Sequence, residues 1–289
     1  MLRIALPNKG RLSDDTRDLF NQAGLEVRVR GDRALTASLG GEFEAIFVRA
    51  QDVPEFVADG AADAGITGFD IVSESERELD CLLDLEFGQC RLVIACRDES
   101  ALTSVNDIED RCRIATAFPS IARNYFAAMR RDVQVVPISG AAEIAPHLGI
   151  ADVILDVTST GSTLRVNGLR EIGTIMTSSA RMYAAPARIS EWAENKLVAL
   201  DQLSVALESV VRARGKRYLM ANVPRAALDR VKTILPGITG PTVVDILNGG
   251  NHVAVHAVVR SESVYRTIAS LKSLGAEGIL VTRIERLVP

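Results

Sequence analysis

Short β-branched apolar runs alternate with helix-spaced segments over the first two thirds of the chain, and this rhythm restricts the fold more than any single motif. The runs "LRIAL", "EAIFV", "LVIAC", "RIATA", "VQVVPI", "DVILDV" and "LREIGTI" are bounded by Gly, Pro or Asn, as strands are. Between them, "SDDTRDLFNQAG", "AQDVPEFVADGAAD", "SIARNYFAAMRR" and "GAAEIAPHLGIA" place apolar residues at helical spacing. Alternation of this kind predicts an α/β fold. Ser13, followed by Asp14 and Asp15, predicts a capped and negatively charged helix start, and Gly24 a stop. One helix is therefore expected over about residues 13–23.

The rhythm breaks at about residues 189–214, where Trp192, Leu197, Leu200, Leu203, Leu207, Val210 and Val211 recur near i, i+3 and i+4. That spacing predicts one long amphipathic helix. Beyond it, "GKRYLMANV", "PRAALDRVKTIL", "GPTVVDIL", "NHVAVHAVV", "ESVYRTIASLKSLG" and "GILVTRIERL" read strand, helix, strand, strand, helix, strand. The order is that of a βαββαβ ferredoxin-like unit. With 289 residues, 47% of them hydrophobic, the chain can fill two or three compact units.

Composition excludes several classes of function. A net charge of -4 from 33 basic and 37 acidic residues provides no basic field for nucleic acid. An aromatic content of 4% is too low for base-stacking platforms. No uncharged stretch approaches the roughly 18 residues of a membrane span, and "MLRIALPNKG" is too short in its apolar part for a secretory signal. A cytoplasmic protein with a small-molecule or protein partner is expected. Cys81, Cys90, Cys96 and Cys112 form no C-x-x-C pair and are expected as reduced, buried thiols. His252 and His256 share one face of an expected strand without a third ligand nearby, and His147 stands alone on an expected helix. No G-x-S-x-G or Ser/His/Asp order is present, which argues against acyl transfer.

Two stretches carry the chemistry. In "DVTSTGSTL", Thr158, Ser159, Thr160, Ser162 and Thr163 supply hydroxyl groups, Gly161 admits close backbone approach, and a helix starting near Thr163 would add free N–H groups. Together they suit an anion the size of a phosphate. Hydroxyl residues are also common in any polar turn, but one cap, contributing about 1 kcal/mol, leaves most of these hydroxyls without a task. Asp156 ends the strand beside them, where ligands of open α/β sheets bind, and a carboxylate there suits the vicinal hydroxyls of a ribose phosphate. Asp152, four positions earlier, reads as a solvated strand start. The second stretch is "PNKGRL", which puts Lys9 and Arg11 at the carboxyl end of the first strand; Arg49 follows "EAIFV", and "DAGITGFD" places Asp70 after another short strand. Basic loop residues are usually solvated, but cationic or glycine-bearing turns at three strand ends imply one cleft, with fixed cations for a second anion such as a diphosphate.

The segment "GAAEIAPHLGIADVILDVTSTGSTLRVNGLREI", residues 140–172, resembles the signature region of the ATP phosphoribosyltransferases, and "PNKGRLSDDTR", "DAGITGFDIV", "RIATAFPSIARNYF", "LPGITGPTVVDIL" and "LKSLGAEGILV" extend the likeness along the chain. The resemblance is to the long form of that family. It implies a bilobal, periplasmic-binding-protein-like core of two α/β domains (1–93 with 178–212, and 94–177) and a ferredoxin-like regulatory domain over 213–289. It implies transfer of 5-phosphoribosyl from phosphoribosyl diphosphate (PRPP) to N1 of ATP in histidine biosynthesis, with Mg²⁺ carried mainly on the PRPP diphosphate and with feedback inhibition by histidine. Dimers that combine into hexamers are implied as well. Residue by residue, Thr158, Ser159, Thr160, Gly161, Ser162 and Thr163 match the phosphate loop, with Asp156 near the ribose. Lys9, Arg11 and Arg49 match basic cleft positions, Asp70 a nucleotide-site position, and Glu143 a family acid. Asn222, Ile238 and Thr242 match effector positions, Asn222 standing where some relatives carry Asp. A bilobal module that binds or regulates without chemistry is the alternative, and an assay with ATP and PRPP separates the two.

Overall fold

The computed structural model describes residues 1–27, 34–190, 192–247 and 250–288. In chain order the elements are β1 (Leu2–Pro7), α1 (Arg11–Gln22), β2 (Thr36–Ser38), β3 (Phe43–Val48), α2 (Val53–Ala58), β4 (Ala64–Gly68), α3 (Phe69–Ser75) and β5 (Asp80–Asp84). Then come β6 (Cys90–Arg97), β7 (Arg113–Thr116), α4 (Pro119–Ala128), β8 (Gln134–Pro137), β9 (Val153–Thr158), α5 (Ser162–Val166), β10 (Leu169–Ser178) and β11 (Ala180–Ala184). The rest comprises α6 (Pro186–Ile189), α7 (Glu194–Ala213), β12 (Lys216–Pro224), α8 (Leu228–Ile234), β13 (Thr242–Asp245), β14 (His252–Arg260), α9 (Val264–Ser273) and β15 (Glu277–Arg283).

These strands form three sheets, and the first two create the lobes of a bilobal α/β core. The first has the order β2-β3-β1-β4-β11-β5 and the second β10-β6-β9-β7-β8. Strands β1, β3 and β4 run parallel, Pro7 lying opposite Val48, so their carboxyl ends gather at one rim. Central strands of such sheets are covered on both faces and need near-continuous apolar sequence; "LRIALP" meets that demand, with Ile4, Ala5 and Leu6 buried. In the second lobe Leu92, Ile94, Ile114, Val153 and Leu155 join Phe126 of α4 in one core cluster. The chain crosses between lobes after β5 and again between β10 and β11, and the crossings are bonded to each other through Ala180 N–H to Phe87 O at 2.9 Å and Leu85 N–H to Ala180 O at 3.0 Å. Two crossings between two α/β lobes is the periplasmic-binding-protein-like plan.

The chain divides into compact units at Ser204 and Val205, within α7. In the second unit β13-β14-β12-β15 form a wholly antiparallel sheet, the ferredoxin-like order. Val231, Leu235 and Leu271 of its helical side pack with Leu219, Val223, Val253 and Val255 of the sheet.

Several expectations change. Helix α1 starts at Arg11, not Ser13, because Gly10 takes a positive φ of 79° at the N-cap and turns the chain early, leaving Ser13 buried in the first turn. The segment "GAAEIAPHLGIA" forms a single 3-10 turn, Ala142–Ile144, as Pro146 interrupts helical hydrogen bonding. The expected long helix is α7, Glu194–Ala213, which starts later than residue 189 and leaves Trp192 ahead of it; residue 191 lies outside the described residues. The expected burial of the cysteines holds for Cys96 alone: Cys81 is exposed, and Cys90 and Cys112 are half-buried. Among the described residues, no helix is long and apolar enough to cross a membrane.

Candidate functional site

The rim where the parallel strands of the first lobe end carries the sequence-named cations. Asn8 N–H donates to Val48 O at 2.8 Å and Thr67 Oγ1 donates to Ala50 O at 2.8 Å, so the turns after β1, β3 and β4 are stitched together. Lys9, Arg11 and Arg49 are exposed there. Arg11 Nη2 reaches Gly88 O at 3.2 Å, in the crossing between lobes. Among the described residues, no carboxylate forms an ion pair with these three cations.

Asp70 differs from them in being buried in the first turn of α3. Its Oδ1 accepts from Ser178 Oγ at 2.6 Å while its N–H donates to the same oxygen at 3.0 Å. The carboxylate lies so close over Gly68 that a Cβ on that residue would collide with Oδ1. This explains the second glycine of "DAGITGFD" by contact rather than by backbone conformation.

On the second lobe, "TSTGST" forms a self-bonded loop. Thr158 Oγ1 is buried and accepts from Gly161 N–H at 2.9 Å. Thr160 and Ser162 share a hydroxyl hydrogen bond of 2.9 Å, and Arg165 Nη1 donates to Thr160 O at 3.3 Å. Gly161 has a φ of 72°, and a Cβ there would lie 2.9 Å from Glu171 Oε1 and 3.1 Å from Arg165 Nη1, so glycine is required by both conformation and space. Ser159, Thr160, Ser162 and Thr163 remain exposed. Asp156 is half-buried and lies inside β9, which continues to Thr158 instead of ending at the acid, and its Oδ1 accepts from Val157 N–H at 2.7 Å. Burial pushes its carboxyl above the usual range, the Val157 hydrogen bond opposes that, and the negative charge of Glu143 adds to it. The 3-10 turn that carries Glu143 contacts β9, which carries Asp156.

A cavity of about 530 Å³ opens among Ser159, Cys90, Arg91, Ser178 and Arg181. Ser159 is the sequence-named residue among its described lining; Asp70 meets it through Ser178, and Arg11 through Cys90, whose thiol is raised by burial and by Asp70 and lowered by Ser178 and Arg11. Two arginines were missed. Arg91, opposite Thr158 in the β6–β9 register, grips Glu171 with two hydrogen bonds of 2.7 and 2.9 Å. Arg181 stacks 4.2 Å from the Phe69 ring centroid and lies 3.3 Å from Asp84 Oδ2. The only cue for either was a cation at the edge of an apolar run, which most surface strands also offer. Asp152, read as solvated, pairs with Arg113 at 2.7 Å.

In the second unit, Asn222 lies opposite Ala254 and Thr242 opposite His256 on the shared neighbour β14. Their even spacing puts both on the face turned away from the helices. Ile238 is 59% exposed in the turn before β13. Among the described residues no group of three or more His, Cys, Asp or Glu is arranged to hold a metal, and His256 Nδ1 instead meets Tyr218 Oη.

Comparison with known proteins places the chain in a family. Residues 49–209 match the family model described as ATP phosphoribosyltransferase, and residues 213–286 match the one described as HisG, C-terminal domain. An ATP phosphoribosyltransferase of Gemmatimonas aurantiaca is 64% identical over 292 aligned positions, with 100% of both chains covered. One from Haloarcula marismortui is 50% identical, covering 99% of this chain and 100% of that one. Among solved structures, an ATP phosphoribosyl transferase (HisG:HisZ) complex from Thermotoga maritima is similar with a TM-score of 0.62 at 27% identity, covering 72% of this chain and 99% of that one.

Proposed function

The chain belongs to the ATP phosphoribosyltransferase family, pentosyltransferases of histidine biosynthesis acting on ATP and PRPP, and from that premise we propose how its own residues carry the transfer. The observation that carries the reading is the Thr158–Thr163 loop, bonded into shape and still exposing four hydroxyl residues beside the cavity. This loop holds the 5-phosphate of PRPP through its exposed hydroxyls, with the Gly161 turn fixing the loop that presents them. Asp156, with Glu143 beside it, faces the ribose hydroxyls.

Transfer forms a bond between N1 of ATP and C1 of the ribose and breaks the bond from C1 to diphosphate, which leaves with the electron pair. The adenine nitrogen already carries its lone pair at neutral pH, so no strong base is needed. Positive charge develops on the sugar and negative charge on the leaving group, and catalysis comes from positioning and from fixed cations. Lys9, Arg11 and Arg49 meet the diphosphate and ATP phosphates, and Asp70 belongs to the nucleotide side of the cleft. Two hard-oxygen donors, Asp156 and Glu143, fit Mg²⁺ that keeps most of its ligands as water and phosphate oxygen; when bound, the ion supplies further charge against the diphosphate.

The reading extends to a catalytic core, residues 1–93 with 178–212 and 94–177, and a regulatory domain, 213–289, in which Asn222, Ile238 and Thr242 take histidine. It also includes a cytoplasmic homo-oligomer, dimer to hexamer. Incubation with ATP, PRPP and Mg²⁺ tests the core of it: N1-ribosylated ATP and diphosphate are expected in equal amounts. A folded protein that makes neither is a binding module instead.

A further inference from the structure

Helix α4 of the second lobe starts at Pro119 without a side-chain cap from its own N-cap residue, Phe118. The first N–H groups of a helix have no partner within it. Here two of them are taken by the other lobe. Glu74, in α3 of the first lobe, accepts from Ser120 N–H through Oε1 at 2.9 Å and from Ile121 N–H through Oε2 at 3.0 Å. Glu76, which closes α3 in the left-handed conformation at φ 54°, accepts from Asn124 Nδ2 at 2.9 Å. The opposite end of α3 is bonded through Asp70 to Ser178, at the end of β10. A carboxylate across two helix N–H groups is a charge-assisted contact aligned with the helix dipole, and this one joins the lobes alongside the Glu76–Asn124 bond and the two chain crossings.

We propose that Glu74 is a positioning residue: by capping α4 across the lobe boundary it holds the lobes in the orientation in which one PRPP molecule reaches the hydroxyl loop and the cationic turns together. The proposal rests on the reading of the cleft given above. A ligand spanning both lobes binds only the aligned fraction of molecules, and its apparent dissociation constant rises as the reciprocal of that fraction. Loss of the cap therefore acts on PRPP binding, while complexes that do align react at the original rate. An anion held by the second lobe alone is indifferent to alignment.

The full-length enzyme tests this with Glu74→Ala and Glu74→Gln, the latter keeping one acceptor oxygen. Hydrogen exchange at Ser120 and Ile121 is expected to quicken in the order wild type, Gln, Ala. KM for PRPP is expected to rise about tenfold in the Ala variant and less in the Gln variant, with kcat within about twofold of wild type. Inorganic phosphate, used as a competitive inhibitor against PRPP, keeps its inhibition constant in both. Faster exchange at both amides with an unchanged KM overturns the proposal, as does a fall in kcat at constant KM. If the Ala variant does not fold, the Gln variant is judged by the same split. If phosphate fails to compete even in the wild type, the reading of the hydroxyl loop fails, while a graded KM rise still supports the role of Glu74.

Discussion

The two walls of the proposed cleft are built on opposite plans. On the second lobe, Thr158, Thr160, Gly161, Ser162 and Arg165 are bonded to one another, so the loop has its shape before any ligand arrives. On the first lobe, Lys9, Arg11 and Arg49 are exposed without a carboxylate partner among the described residues. Rigidity suits a group that passes unchanged through the reaction, as a 5-phosphate does. Unneutralised charge suits a leaving group whose charge grows at the transition state. Arg91 underlines the difference, because its partner Glu171 offsets its charge and fixes its direction.

This contrast predicts that losing charge on one wall lowers kcat and losing shape on the other raises KM. The largest effect belongs to Arg49→Ala: steady-state kinetics should show kcat about a hundredfold lower, near 3 kcal/mol of barrier. Full turnover would remove Arg49 from the leaving-group site. Gly161→Ala places a Cβ against Glu171 and Arg165 at a positive φ, and about 1 kcal/mol of strain should raise KM for PRPP roughly fivefold with kcat nearly unchanged. An effect on kcat alone would contradict the division of labour. Gly68→Ala should displace the Asp70 carboxylate from Ser178 and weaken ATP more than PRPP, which paired KM measurements would resolve.

A smaller effect is expected at Glu171→Gln. Its side chain is 29% exposed and that of Arg91 37%, so the pair contributes below about 1 kcal/mol to stability, and thermal unfolding should shift little. KM for PRPP should rise modestly as Arg91 loses its fixed direction.

The smallest effect concerns pH. Asp156 is held above its ordinary range chiefly by burial, so the folded chain binds this proton more tightly than the unfolded chain. Stability from this group therefore falls as pH rises through the carboxylate range. Asp156→Asn should raise the Tm slightly at neutral pH, and the difference should vanish on acidification. A Tm gap that widens in acid would reverse the sign.

Much of the fold was legible because the apolar runs of β1, β3, β6 and β9 are long enough to have no other use. Strands β5, "DCLLD", and β11, "ARMYA", escaped notice because they are short, and β5 is charged at both ends. They lie at the lobe crossings, where pairing across the chain decides structure and local propensity does not. The start of α1 was misplaced because Ser-Asp-Asp is a strong local signal, yet a positive φ at Gly10 determines the turn. At the site, the hydroxyl loop and cationic turns were readable as dense clusters of one chemistry. Arg91 and Glu171 were not, because they are 80 positions apart and meet only after β6 pairs with β10, where Arg91, opposite Thr177, reaches along the strand to Glu171.

The central claim is that the Thr158–Thr163 loop grips the 5-phosphate while the opposite wall meets the diphosphate. A crystal structure with PRPP and Mg²⁺ tests it most directly. The predicted result puts the 5-phosphate oxygens within hydrogen-bond distance of the exposed hydroxyls of Ser159, Thr160, Ser162 and Thr163, with the diphosphate toward Lys9, Arg11 and Arg49. A 5-phosphate bound at the cationic turns, with the loop empty or holding the diphosphate, would contradict it.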